Sequence, residues 1–187
     1  MPKTLSPVRA PAPELKRMPL APAVSADGAI EGYASLFGVV DLGRDKVAPG
    51  AFAASLARRG ANGVRFLFQH DPSEPLGAWT SIVEDARGLR VAGRLNLSVA
   101  RAREVHALLR QGGLDGLSIG FRAVRSQREP GGVRRLTEID LWEVSVVTFP
   151  MLPEARVAAV KRAPPRPSPR PDRVDRRSLQ SKQLTTR

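Results

Sequence analysis

Short runs of alternating apolar and polar residues, each closed by turn-forming residues, recur through the middle of this chain and restrict it to a sheet-rich fold. Residues 64–69 set Val64, Phe66 and Phe68 against Arg65, Leu67 and Gln69, and a period of two puts these sets on opposite faces of a strand. Residues 30–37 alternate in the same way, with Ile30, Gly32, Ala34 and Leu36 against Glu31, Tyr33, Ser35 and Phe37. Segments 77–84 and 89–96 flank Asp85-Ala86-Arg87-Gly88, whose Asp and Gly favour a turn, so they read as a hairpin. A longer hairpin joins 117–126 to 133–149 across Glu129-Pro130-Gly131-Gly132. Two segments have helical spacing. Residues 51–59 place Phe52 and Leu56 one turn apart and stop at Gly60; residues 99–111 follow Ser98 as N-cap, carry Ala102, Val105 and Leu109 on one face, and end at Gly112-Gly113. The prediction is a mainly β fold with α-helices packed on the outside, and the pattern alone leaves a sandwich and a barrel both open.

Composition narrows the class. A length of 187 residues suits one domain with a real core. There is no cysteine, hence no disulfide framework or thiolate metal site, and with only His70 and His106 a zinc site would need mostly carboxylate ligands. Neither a metal nor a cofactor is expected. The net charge of +12 divides unevenly: residues 1–25 carry +3, residues 161–187 carry +7, and residues 26–160 only +2. The basic ends are proline-rich, as in Pro164-Pro165-Arg166-Pro167, and poor in apolar residues. They read as a disordered N-terminal extension (1–25) and a disordered basic tail (161–187) around a single domain (26–160). No apolar run is long enough for a signal peptide core or a bilayer span, so a cytosolic chain with no membrane partner is expected.

The chemistry-bearing residues are spread along the strands. Ser118, in Gly116-Leu117-Ser118-Ile119-Gly120-Phe121, faces away from Leu117, Ile119 and Phe121, on the side of Gly120. Its ordinary reading is a small polar residue on a solvent face. His70, in Gln69-His70-Asp71, continues the parity of Val64, Phe66 and Phe68 and should leave its strand on the buried side, at the rim. Glu143 shares strand parity with Leu141, Ser145 and Val147. An inward glutamate among apolar neighbours needs a partner, and a histidine would serve. Serine, histidine and a carboxylate form the minimal set for acyl transfer: a weak nucleophile, a base for its proton, and a group that holds the base in the right tautomer. Glu138, Asp140 and Asp71 compete as the acid, with Asp71 pointing away from His70 or capping a turn. His106 reads as a helix-surface residue, and Asp41, Arg44 and Asp45 as a solvated turn.

Five landmarks recur in order: Glu31-Gly32-Tyr33-Ala34, Gly50-Ala51-Phe52 after Asp41 and Asp45, Gln69-His70-Asp71, Leu117-Ser118-Ile119-Gly120-Phe121, and Leu141-Trp142-Glu143-Val144-Ser145 running on to Pro150. With them, residues 31–155 resemble the tailed-phage prohead (capsid maturation) protease family, itself distantly similar to herpesvirus assemblin. The resemblance implies an antiparallel β-barrel of the herpesvirus-protease type and a serine endopeptidase with Ser118 as nucleophile, His70 as base and Glu143 as the acid; Asp140 and His106 stay open as the third member. It implies a role for Gly116 and Gly120 in admitting a substrate backbone beside main-chain N–H donors. The implied substrate is the scaffolding segment of the major capsid protein, and the protease itself, inside a procapsid assembling in bacterial host cytoplasm. A homodimer is implied by analogy with the herpesvirus enzymes. Two other classes compete: a non-catalytic capsid assembly factor, and a nucleic-acid binder acting through the basic tails. The latter is disfavoured by six Phe, two Trp and one Tyr, which provide few stacking platforms.

Overall fold

A computed structural model describes residues 24–158; the expected terminal extensions lie almost wholly outside them. Seven strands form one curled sheet: β1 (Ala29–Leu36), β2 (Asp45–Val47), β3 (Arg65–Phe68), β4 (Asp71–Glu84), β5 (Gly88–Leu95), β6 (Gly116–Glu129) and β7 (Val133–Val147). Helix α1 (Ala53–Arg59) lies between β2 and β3, and α2 (Ala100–Gln111) between β5 and β6. The strand order is β1-β5-β4-β3-β7-β2, with β6 paired to the other edge of β7. Both expected hairpins, β4–β5 and β6–β7, are present.

The expected antiparallel barrel is met as a mainly β, curled sheet, with two corrections. β7 runs parallel to β3 along Glu143–Val146 and parallel to β2 along Arg134–Leu136, so the sheet is mixed. It is also open, because β1 and β6 share no ladder. Single backbone contacts from residues 155–158 span that gap: Leu117 N–H donates to Ala155 O (2.9 Å), Val157 N–H to Asp115 O (2.8 Å), Tyr33 N–H to Arg156 O (3.1 Å) and Ala158 N–H to Glu31 O (2.8 Å). Gly32 permits this approach, since a Cβ there would overlap Arg156 O.

The core joins side chains of the sheet to Leu56 of α1 and to Ala102, Val105 and Leu109 of α2. Its largest side chains are Trp79, Phe52 and Phe66, with Trp79 stacked on Phe66 at 4.0 Å between centroids. Both helices stop where expected, at glycines of positive φ: Gly60 (φ 60°, with extended ψ) and Gly112 (φ 74°, left-handed). The start of α2 differs. Val99, not Ser98, is its N-cap residue, and Asn96 Oδ1 instead accepts the Ser98 N–H (3.1 Å) in an Asx turn. Strand β2 was unforeseen, because three residues are too few to show a period. It places Asp45, read from sequence as part of a solvated turn, beside Arg134, whose Nε donates to Asp45 Oδ1 at 2.7 Å. The packed unit begins before residue 26: Val24 is fully buried and pairs with Ile30.

Candidate active site

His70 reaches the site by a turn that breaks the expected parity. Strand β3 ends at Phe68, which pairs with Asp71, and the two residues between them have positive φ: Gln69 at 53° and His70 at 62°. Two-residue hairpins favour such mirror-image turns because their twist matches that of the strands. The consequence is a change of side. His70 projects onto the face shared by Arg65, Leu67, Glu143 and Ser145, not the buried face of Phe66 and Phe68. Neither residue is glycine, and each left-handed residue costs of the order of 1 kcal/mol. Four hydrogen bonds offset that strain. Gln69 N–H donates to Val146 O (3.0 Å), Gln69 Nε2 to Thr148 Oγ1 (2.6 Å), Thr148 N–H to Gln69 Oε1 (3.3 Å), and His70 N–H to Ser145 Oγ (3.2 Å).

Register places the other groups. Across the β6–β7 pair Ser118 faces Ser145 and Gly120 faces Glu143, so all four share one face. The next pair is Phe121 with Leu141, which leaves Trp142 as the extra residue of a β-bulge. The expected parity of Glu143 with Leu141 is therefore corrected. The bulge sends Leu141 to the core with Val144 and Val146, and leaves Glu143 on the face of Ser118. The site glycines also act differently from expectation. A Cβ at Gly120 would overlap Glu143 Oε1, and one at Gly116 would press on Val147 O and Pro150, so their open space is occupied by the chain itself.

The Glu143 carboxylate is buried and held at both oxygens. Oε1 lies 2.5 Å from His70 Nδ1, and Oε2 accepts the Ser145 hydroxyl at 2.6 Å. The hydrogen bond to Glu143 holds the His70 pKa above the ordinary histidine value, against the opposing effect of partial burial. With Nδ1–H committed to the carboxylate, the neutral ring presents Nε2 as an acceptor. Ser118 is 6% exposed. Among the described residues its hydroxyl forms no hydrogen bond, and its Cβ lies about 5 Å from that of Ser145, the usual spacing of directly opposed residues. Beside it is a largely apolar cleft walled by Ala34 and Leu36 of β1, Leu117 and Phe121 of β6, and Met151 and Leu152. His70 and Ser118 thus lie on one sheet face, and among the described residues no hydrogen bond joins them.

The competing acids are engaged elsewhere. Asp140 accepts from Trp142 Nε1 (2.9 Å) and Arg59 Nε (3.1 Å) and also pairs with Arg58; the Trp142 indole above all, helped by these arginines, holds its pKa down at about 2. Glu138 pairs with Arg125 (3.1 Å), and Asp71 accepts the Ser73 N–H (2.8 Å), capping its turn. His106 Nε2 contacts Ser25 O (2.8 Å), tying α2 to the segment before β1. Ser145 was not singled out from sequence. Regular pairing carried back from Glu129 and Val133 would have set Val144 opposite Ser118, and only the register shifts along the hairpin bring Ser145 there.

The family described as caudovirus prohead serine protease matches over residues 17–165. The chain is 38% identical over 138 residues to the prohead protease of Enterobacteria phage HK97, covering 72% of this chain and 60% of that protein. It is 33% identical over 106 residues to the capsid polyprotein of Pseudomonas phage PAJU2, covering 52% of this chain and 16% of that protein. Among solved structures, the bacteriophage T4 capsid assembly protease gp21 superposes with a TM-score of 0.55 at 15% identity, covering 66% of this chain and 84% of that one.

Proposed function

This chain belongs to the caudovirus prohead serine protease family, and on that premise we propose that it is a serine endopeptidase that cleaves the scaffolding segment of the major capsid protein during procapsid maturation. The observation that carries the reading is the contact of His70 Nδ1 with Glu143 Oε1 at 2.5 Å on the sheet face that also bears Ser118. In this reading His70 Nε2 takes the Ser118 proton as Oγ attacks the scissile carbonyl, and main-chain N–H groups stabilise the oxyanion. His70 then protonates the leaving amine, and water hydrolyses the acyl-enzyme. Glu143 fixes the tautomer throughout and stabilises the imidazolium.

The likeness of residues in this chain to part of a capsid polyprotein favours a capsid protein as substrate. Cleavage takes place inside the procapsid, in bacterial host cytoplasm, and the enzyme also trims its own terminal extensions, working as a homodimer. Co-expression with the cognate capsid protein tests the activity. Shortening of the capsid subunit by the wild type, abolished by Ser118→Ala and by His70→Ala, is the expected result; shortening that survives Ser118→Ala would refute it. Intact-mass measurement of the protease tests self-trimming, which predicts lighter species for the wild type than for Ser118→Ala.

A further inference from the structure

We propose that Ser145 is a positioning residue that sets His70 and Glu143 relative to each other, an inference that rests on the catalytic reading of Ser118, His70 and Glu143. Ser145 is 0% exposed, so it cannot meet a substrate. A serine hydroxyl has one proton to donate and two lone pairs to accept with. Here the proton goes to Glu143 Oε2 (2.6 Å), and a lone pair accepts the His70 main-chain N–H (3.2 Å). Both partners need such a tie. The terminal torsion of a glutamate is soft, so a carboxylate held at Oε1 alone would swing, and its buried Oε2 would be left without a donor. His70 sits on a left-handed turn, φ 62°, that relaxes unless its main chain is held. One hydroxyl therefore fixes the acceptor's direction and the height of the ring that donates to it. Its neighbours on the same face are Leu67 of β3 and Ser118 of β6.

The test uses the full chain, with Ser145→Ala and Ser145→Thr each made alone and in a Ser118→Ala background that cannot cleave itself. Proton NMR reads the strongly downfield His70 Nδ1–H resonance of the bond to Glu143, and cleavage of the cognate capsid protein gives kcat and KM. The expected result for Ser145→Ala is loss or broadening of that resonance and a kcat about 10- to 100-fold lower at nearly unchanged KM, the effect of misplacing a catalytic group by a fraction of an ångström to an ångström. Ser145→Thr, which keeps the hydroxyl, retains the resonance and most of kcat. An alanine variant with resonance and kcat both as in the wild type overturns the proposal, as does equal loss in the threonine variant. Should Ser145→Ala not fold, Ser145→Cys, of similar size with only a weak donor, is judged by the same criteria. Failure of the underlying catalytic reading looks different: capsid cleavage then persists in Ser118→Ala, whatever occupies position 145.

Discussion

At the scale of single residues, the His70–Glu143 contact sets the pH behaviour. Because Glu143 raises the His70 pKa, and the base must be neutral to act, the acid limb of kcat/KM is expected above the ordinary histidine value of about 6.5. Glu143→Gln should move that limb downward and lower kcat by about 10²- to 10⁴-fold, since the ring loses both its charge partner and its enforced tautomer. An unmoved limb in that variant would detach Glu143 from the base. Stability runs the other way. A group whose folded pKa is raised stabilises fully below its unfolded pKa and loses that contribution as pH climbs through the folded value, so thermal melts should show the Glu143→Gln deficit shrinking with pH while wild-type activity grows. Gly120→Ala is a separate test of crowding. Its methyl must displace the Glu143 carboxylate, so cleavage should fall about 100-fold or more while circular dichroism stays that of a folded protein.

At the scale of elements, β7 is the hub, and α1 docks on it through polar groups. The Leu141 N–H donates to Ser55 Oγ at 2.9 Å, and Asp140 draws in Arg58 and Arg59 from the end of the helix. Ser55→Ala leaves a buried main-chain donor without an acceptor, so urea denaturation should show a loss of about 1–3 kcal/mol, with cleavage per folded molecule unchanged. The Asp140 pKa of about 2 gives its bond from Trp142 and its pairs with Arg59 and Arg58 an acid signature: their contribution is complete above the unfolded carboxylate value and disappears as pH falls towards about 2. A melting temperature that drops no faster for wild type than for Asp140→Asn over that range would contradict this. Elements were legible where local chemistry specifies them. Gly60 and Gly112 end helices, and Asp85 with Gly88 turns a hairpin, because positive-φ and turn backbone depends on the residue that adopts it. Strand β2 and the true start of α2 were not legible: three residues show no period, and a side-chain cap was available at Ser98 but unused.

At the scale of the whole molecule, residues 155–158 tie the first strand to the sixth across the open side of the sheet. Gly32→Ala must push Arg156 O away, so hydrogen exchange should accelerate at the Tyr33, Leu117, Val157 and Ala158 amides; protection equal to the wild type would mean that the seam does not depend on this close approach. Alternation, turn chemistry and ordered landmarks are local properties, so a mainly β fold, the places of its hairpins and helices, and Ser118, His70 and Glu143 as the groups to watch could all be read along the chain. The mixed and open sheet, the change of face of His70 at its turn, the bulge at Trp142 that separates Glu143 from Leu141, and the placing of Ser145 opposite Ser118 emerge only in the folded molecule. Strand direction, bulges and cross-strand register are settled by which distant segments pair, and no window along one segment contains its partner.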